Sequence, residues 1–97
     1  MKEVWKQCYL SPRYHVSNLG RVRNAEDKRI KSKVITDDGY YMVGLSVDTR
    51  GKIRKLFFNI DILVLNTFKP TNIKYNTPIH IDGNKRNNNI CNLLWSN

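Results

Sequence analysis

Residues 78–97 read PIHIDGNKRNNNICNLLWSN, and this stretch decides the fold at the end of the chain. His80 lies in a short run that can form a β-strand, and the Asp82-Gly83-Asn84 sequence after it favours a tight turn. A cluster of asparagines follows, and Asn-Leu-Leu-Trp at 92–95 closes the segment. The order predicts a terminal β-hairpin with a histidine in its first strand.

Two further hairpins are predicted upstream. Side-chain character alternates through residues 13–24 on either side of a glycine-containing turn at 18–20. Alternation returns over residues 40–47, and after a turn at 48–51 the chain runs back over 52–58. Period-2 alternation around such turns is typical of antiparallel strands.

One helix is predicted between these hairpins and the terminal one. Apolar residues recur at intervals of three and four over residues 60–68, and Pro70 follows. Residues 24–32 are charged and predict a loop, and 69–77 predict a loop into the terminal hairpin. The expected fold class is α+β, with small antiparallel hairpins or sheets and one short helix.

Length and charge restrict the function classes. The chain has 97 residues, of which 40% are hydrophobic, so we expect one domain or two small modules and not a disordered tail. There are 17 lysines and arginines against 8 acidic residues, giving a net charge of +9. This excess favours a polyanionic partner such as double-stranded DNA. The alternative is a basic protein that is merely soluble.

The cysteines and the apolar residues indicate the compartment. Cys8 and Cys91 are far apart in sequence and form no Cys-x-x-Cys pair, so we expect neither a structural zinc site nor a disulfide. The first residues are too polar for a signal peptide, and polar residues interrupt the apolar stretch 56–68. We therefore expect no membrane partner and a cytoplasmic location in a bacterial host cell.

The basic side chains are the candidate DNA-binding residues. Arg21 and Arg23 share one face of a predicted strand and could contact phosphates or guanine edges. Ser17 and Asn18 have an alternative role, because their side chains can form the turn by bonding nearby backbone. Each basic residue could also be an ordinary solvated one. The candidate set is Arg13, Ser17, Asn18, Arg21, Arg23, Lys52, Arg54, Lys55, Lys85 and Arg86.

Two parts of the sequence resemble one family. The run His80-x-Asp82-Gly83-Asn84-Lys85, followed by asparagines and Asn92-Leu93-x-Trp95, resembles the active-site hairpin of HNH homing endonucleases of phages and introns. Trp5 with Tyr14-x-Val16-Ser17-Asn18-x-Gly20-x-Val22 resembles the nuclease-associated modular DNA-binding motif that precedes HNH domains in these enzymes. The resemblance predicts a DNA-binding module at 1–48 and an HNH-like module at 49–97.

The resemblance also implies a chemistry. HNH nucleases hydrolyse phosphodiesters with one divalent metal in a ββα unit, and His80 matches their general base. Ile79 stands where the family has an oxygen ligand, and Asp61 stands where it has a second histidine. The sequence ends at Asn97, before the helix that carries another ligand, so the ββα-metal unit is expected to be incomplete. In the family, residues matching Asp82, Asn84, Asn88 and Asn92 shape the turn and loop.

Three functions remain open from the sequence. The first is a catalytically impaired HNH-like DNA-binding protein of a phage or mobile element, with no metal ligands and no cofactor. The second is an active nicking endonuclease that uses Mg²⁺ or Mn²⁺, with Asp61 or Asp82 as a replacement ligand or an oligomer completing the site. The third is a nuclease-derived scaffold that binds and inhibits a host protein.

Overall fold

The computed structural model describes residues 1–71 and 77–96. The N-terminal sheet contains β1 (Trp5–Cys8), β2 (Ser11–Ser17) and β3 (Val22–Asn24). The middle sheet contains β4 (Val34–Ile35), β5 (Tyr41–Thr49) and β6 (Lys52–Asn59), and α1 (Ile60–Phe68) follows. The terminal sheet pairs β7 (Thr77–His80) with β8 (Leu93–Ser96), and a 3₁₀ turn at Ile90–Asn92 precedes β8.

The predicted α+β class is confirmed. Pairing is antiparallel in all three of these sheets, and α1 spans the residues expected from the spacing of its apolar side chains. The terminal hairpin forms with His80 as the last residue of its first strand. Of the loop predicted at 69–77, residues 72–76 lie outside the described residues, and Thr77 already belongs to β7.

The middle hairpin turns more tightly than the sequence indicates. Thr49 still pairs with Lys52, so only Arg50 and Gly51 remain in the turn, and the predicted turn at 48–51 is wrong by two residues. Both turn residues have positive φ, 52° and 77°, as a two-residue turn compatible with the twist of the strands requires. Arg50 therefore lies at the tip of the hairpin, directly after the last paired residue of β5.

One hydrophobic core joins the parts of the chain. The buried cluster includes Val16 of β2, Leu45 of β5, Leu63 of α1 and Leu93 of β8. These side chains come from both sides of the predicted boundary between 48 and 49, which falls near the end of β5. The division into two modules stays a prediction, but the two segments share this core.

Hydrogen bonds of Asp82 organise the long loop between β7 and β8. Its carboxylate accepts from the Asn84 amide at 2.8 Å and from the Asn87 and Asn92 side chains at 2.9 Å each. The Asn87 side chain, the Asn84 amide and the Asn92 side chain together lower the Asp82 pKa. In this structure Asp82 and its asparagines shape the loop, as the family resemblance implies.

The turn after β2 packs tightly on this loop. Gly20 has a φ of +89°, and a Cβ built on it would lie 2.9 Å from Asn88 Cβ and 3.0 Å from the Asn88 carbonyl oxygen. The backbone of Asn18 accepts a hydrogen bond from the Ile90 amide at 2.8 Å. The N-terminal sheet is thus joined to the terminal hairpin through backbone that only glycine accommodates.

Replacing Gly20 tests this junction. We expect Gly20→Ala to lower the free energy of unfolding through the unfavourable φ, about 1–2 kcal/mol, and through overpacking on Asn88, about 1–3 kcal/mol more. Gly51→Ala is the matched control, because Gly51 also has a positive φ but has no atom within 4 Å of a built Cβ. Chemical denaturation of both variants measures the difference, and equal losses would contradict the close contact.

Candidate histidine site and nucleic-acid interface

His80 is buried between the helix and the long loop. Its side chain is 6% exposed, and Nε2 lies 3.0 Å from Asn88 Oδ1 and 3.8 Å from Asp61 Oδ2. The Tyr40 ring packs nearby, with 6.1 Å between ring centroids. Because two oxygen acceptors face Nε2, a neutral His80 carries its proton there and leaves Nδ1 with the lone pair. Nδ1 is therefore the nitrogen that could accept a proton.

Asp61 contributes a buried carboxyl group to this site. It lies in the first turn of α1, its side chain is 5% exposed, and Oδ1 accepts from the Ile62 amide at 2.6 Å. Burial raises its pKa, an effect opposed by the Ile62 amide and by the charge of His80. Sequence spacing alone placed Asp61 at the family's second histidine, and the structure adds that it faces His80.

The donors around His80 do not make a complete metal site. Ile79 offers no ligand atom, and its exposure of 44% leaves an apolar side chain beside the histidine. Residues 1–71 and 77–96 contain no group of three His, Cys, Asp or Glu side chains that could hold a metal ion. Asn88 Nδ2 is buried and has no hydrogen-bond partner within those ranges. The described residues thus do not fit the divalent metal of the HNH reaction.

Two of the candidate DNA-binding residues, Arg21 and Arg23, lie on the outer face of the N-terminal sheet. Arg23 lies 4.1 Å from the Trp5 ring centroid and Arg21 lies 5.4 Å from it. Arg21 Nε donates to Glu3 Oε2 at 2.8 Å, and its Nη2 pairs with the other carboxylate oxygen. Arg23 Nε donates to His15 Nδ1 at 3.1 Å. The sequence interpretation used Trp5 as a motif residue and missed Glu3 and His15 as partners of the arginines.

Two titrating partners of the arginines have shifted pKa values. The hydrogen bond from Arg21 is the main cause that lowers the pKa of Glu3, which keeps the carboxylate ionised. Partial burial lowers the pKa of His15, and the charges of Arg23 and Lys28 lower it further. A neutral His15 that accepts at Nδ1 carries its proton on Nε2.

Ser17 and Asn18 serve the turn. Ser17 is fully buried, and its hydroxyl accepts from the amides of Leu19 and Arg21. Asn18 is 8% exposed, and its side chain accepts from the Val4 amide at 2.9 Å and donates to the Lys2 carbonyl at 3.0 Å. Of the two roles that the sequence left open, these contacts correspond to turn formation, and they use the polar atoms that DNA would need.

The other basic candidates are dispersed. Arg13 lines a groove of about 450 Å³ beside β3. Lys52 and Arg54 line another of about 440 Å³ with Arg50, which the sequence interpretation missed because it read the tip only as a turn. Lys55 pairs with Ser46, so it lies on the opposite face of β6 from Arg54.

Lys85 and Arg86 lie on the exposed loop after β7. Lys85 Nζ donates to the Asp38 carbonyl at 2.9 Å and lies 4.9 Å from the Tyr40 ring centroid. The Arg86 amide donates to Asn84 Oδ1 at 3.0 Å, while its side chain lies in an exposed position. DNA contact by either residue stays a prediction.

Comparisons with known proteins show which proteins the chain is similar to. Residues 3–46 match the NUMOD4 motif. An uncharacterized HNH endonuclease of Acanthamoeba polyphaga mimivirus is 38% identical over 97 residues, covering 100% of this chain and 28% of its own. A second one from the same virus is 30% identical over 91 residues, covering 94% and 22%. A solved structure of the HNH homing endonuclease I-HmuI, which concerns DNA binding and cleavage, matches with a TM-score of 0.79 and 32% identity, covering 96% of this chain and 52% of that one.

The chain carries a NUMOD4 motif in its N-terminal part and is similar over nearly its whole length to HNH homing endonucleases. The resemblance predicted from the two sequence motifs is confirmed. The chain spans about a quarter of the length of the two viral relatives. Within the described part of the chain, the helix is too short to span a membrane.

The buried Asp61 carboxyl group predicts a pH-dependent stability. Its folded-state pKa is raised above the ordinary value of 3.8, so the stabilisation it gives is complete below that pH and is lost as the pH rises through the folded-state pKa. We expect Asp61→Asn to unfold at higher denaturant than the unmodified chain at neutral pH, with the gap narrowing toward pH 3. Asp37→Asn, at an exposed site, is the control. A gap that widens on acidification would show that Asp61 is held ionised.

Proposed function

We propose that this chain binds duplex DNA through the outer face of the β1–β2–β3 sheet and that it is catalytically impaired as a nuclease. The observation that carries the proposal is the Arg21 and Arg23 pair on the Trp5 ring, inside the segment that matches the NUMOD4 motif. The net charge of +9 and the likeness to I-HmuI, whose structure concerns DNA binding, support the same partner.

The basic sheet face suits a duplex for physical reasons. Val22 is buried beneath the strand, so Arg21 and Arg23 on either side of it point away from the core. Cations brought against a duplex displace condensed counterions, which favours association at low salt. Stacking on Trp5 already restricts the guanidinium groups in the free protein. Less conformational entropy is therefore lost when they bind.

Salt dependence tests DNA binding. We expect the logarithm of affinity to fall linearly with the logarithm of salt concentration, by about 0.9 per neutralised phosphate. Arg21→Ala/Arg23→Ala should bind more weakly, because both guanidinium contacts with the duplex are lost. Fluorescence anisotropy with a labelled duplex measures the affinity and its salt dependence. Lys6→Ala is the control, since Lys6 pairs with Val16 and its ammonium lies over Phe68, toward the helix. Equal affinities of the double variant and the unmodified chain would remove this face from the proposal.

Impaired catalysis is supported by the donors near His80. A hard divalent cation needs several oxygen ligands, whereas Ile79 supplies none and Asp61 already faces His80 Nε2. A missing supporting residue in a metal site costs about 10–100-fold in affinity or activity. The bacterial host, the cytoplasmic location and a phage or mobile-element origin stay predictions beside this proposal, and so does inhibition of a host protein.

An active nuclease is the second candidate, and the orientation of His80 favours it. Nε2 is within hydrogen-bond distance of Asn88 Oδ1, and Asp61 lies 3.8 Å from the same nitrogen, so Nδ1 is available to take a proton from water. The Mg²⁺ or Mn²⁺ of this reaction would stabilise charge on the scissile phosphate. Its ligands would have to include groups beyond the ones described around His80.

Plasmid nicking separates the two candidates. We expect the 97-residue chain to leave supercoiled plasmid intact with Mg²⁺ or Mn²⁺ at neutral pH, because residues 1–71 and 77–96 offer the cation no complete ligand set. Gel electrophoresis measures the nicked fraction, and His80→Ala provides the control. Nicking that disappears in His80→Ala would contradict impaired catalysis, while nicking that survives the substitution would come from another site or another protein.

A further inference from the structure

Arg21 and Arg23 are both held by the inner end of their guanidinium groups. Nε of Arg21 donates to Glu3, as does Nη2, and Nε of Arg23 donates to His15. A guanidinium has five N–H donors in a rigid plane. Within residues 1–71 and 77–96, no protein acceptor bonds Nη1 of either arginine. Each side chain is thus fixed at Nε and has its terminal Nη1–Nη2 edge left for a ligand.

Trp5 supplies a common support for the pair. The guanidinium carbon of Arg23 lies 4.1 Å from its ring centroid and that of Arg21 5.4 Å. Cation–π attraction at these distances restrains the side chains in addition to their hydrogen bonds. His15 pairs directly with Arg23 across β2 and β3, so the support belongs to the same sheet as the arginines.

We propose that Arg21 and Arg23 form a pre-oriented pair that reads two guanine bases in the major groove, with Glu3, His15 and Trp5 as positioning residues. This inference rests on the proposed DNA binding and adds base recognition to it. The terminal edge of a guanidinium offers two parallel N–H donors, which match O6 and N7 of guanine. The major groove admits two neighbouring β-strands, and β2 and β3, at one edge of the three-stranded sheet, would present the arginines to it.

The Glu3 carboxylate favours guanine over a phosphate as the partner of Arg21. A phosphate on the free edge would place a second anion on a guanidinium that Glu3 already neutralises. The guanine edge is a neutral pair of acceptors, so it fits this charge balance. Phosphate contacts carry no sequence information, whereas reading a base edge needs donors held in a fixed geometry. The arrangement here fixes both arginines at two points each.

Selection from a randomised pool tests the inference with the intact chain. Short duplexes with a randomised centre are bound at fixed salt, recovered and sequenced. We expect the unmodified chain to enrich guanine at two positions of fixed spacing. Arg21→Gln should lose the preference at one of them and Arg23→Gln at the other, each by about 5- to 150-fold.

Glu3→Gln distinguishes positioning from simple charge. It removes one negative charge, so total affinity should hold or rise, yet the guanine preference should weaken at the position that depends on Arg21. Asp37→Asn changes the net charge equally at an exposed site away from the sheet face, and it should keep both preferences. A circular dichroism melt of each variant confirms folding before selection.

The outcomes separate this inference from the proposed function. If the unmodified chain binds duplexes but shows the same base preferences as Arg21→Gln and Arg23→Gln, the pair does not read guanine and the inference fails alone. If Glu3→Gln keeps the full preference while Arg21→Gln loses it, Glu3 is not a positioning residue. If the unmodified chain binds no duplex at low salt, the proposed function fails as well.

Discussion

The close packing of Gly20 on Asn88 is the contact on which the rest of the arrangement depends. It brings the backbone of the β2–β3 turn against the loop that follows β7, where the Asn18 carbonyl accepts from the Ile90 amide. Asn88 then reaches His80 with its side-chain oxygen. The positions of the β1–β2–β3 sheet and of the histidine are thereby linked through a few atoms that tolerate little added volume.

Charged groups on the sheet face and around His80 lie in different environments. On the sheet face, Arg21 and Arg23 stay near solvent, and their partners neutralise or orient them. Around His80, by contrast, the Asp61 carboxyl group is buried, and its raised pKa reflects the cost of charging it there. The site around His80 therefore disfavours an ionised Asp61, whereas on the sheet face Glu3 stays ionised beside Arg21.

Much of the fold could be predicted because its elements have strong local signals. The helix begins and ends where its apolar spacing and Pro70 indicate. Side-chain character alternates through residues 13–24 and 40–47, and a turn sequence marks the return of the chain into β6. β1 and β4 were not predicted, because four and two residues are too few to show a period and their pairing depends on neighbouring strands. His80 could be selected from the sequence as the candidate general base because the hairpin motif has particular residue types at fixed spacing.

The contacts of the site could not be predicted in this way. Glu3 lies 18 residues from Arg21, and His80 lies 19 from Asp61, so neither pairing has a local signature. For Ser17 and Asn18, residue type alone did not decide between two roles. Their residue types suit DNA contact as well as turn formation, and only burial and partners distinguish the two.

Native-state hydrogen exchange measures the opening free energies of individual amides, and it thereby tests whether the N-terminal sheet and the histidine hairpin form one cooperative unit. The Ile90 amide, which donates to Asn18, reports on the junction, and the Leu45 and Leu56 amides in the middle hairpin report on the core. We expect Ile90 to exchange with an opening free energy close to that of the most protected core amides. Rapid exchange at Ile90 while the core stays protected would show instead that the hairpin opens independently of the sheet.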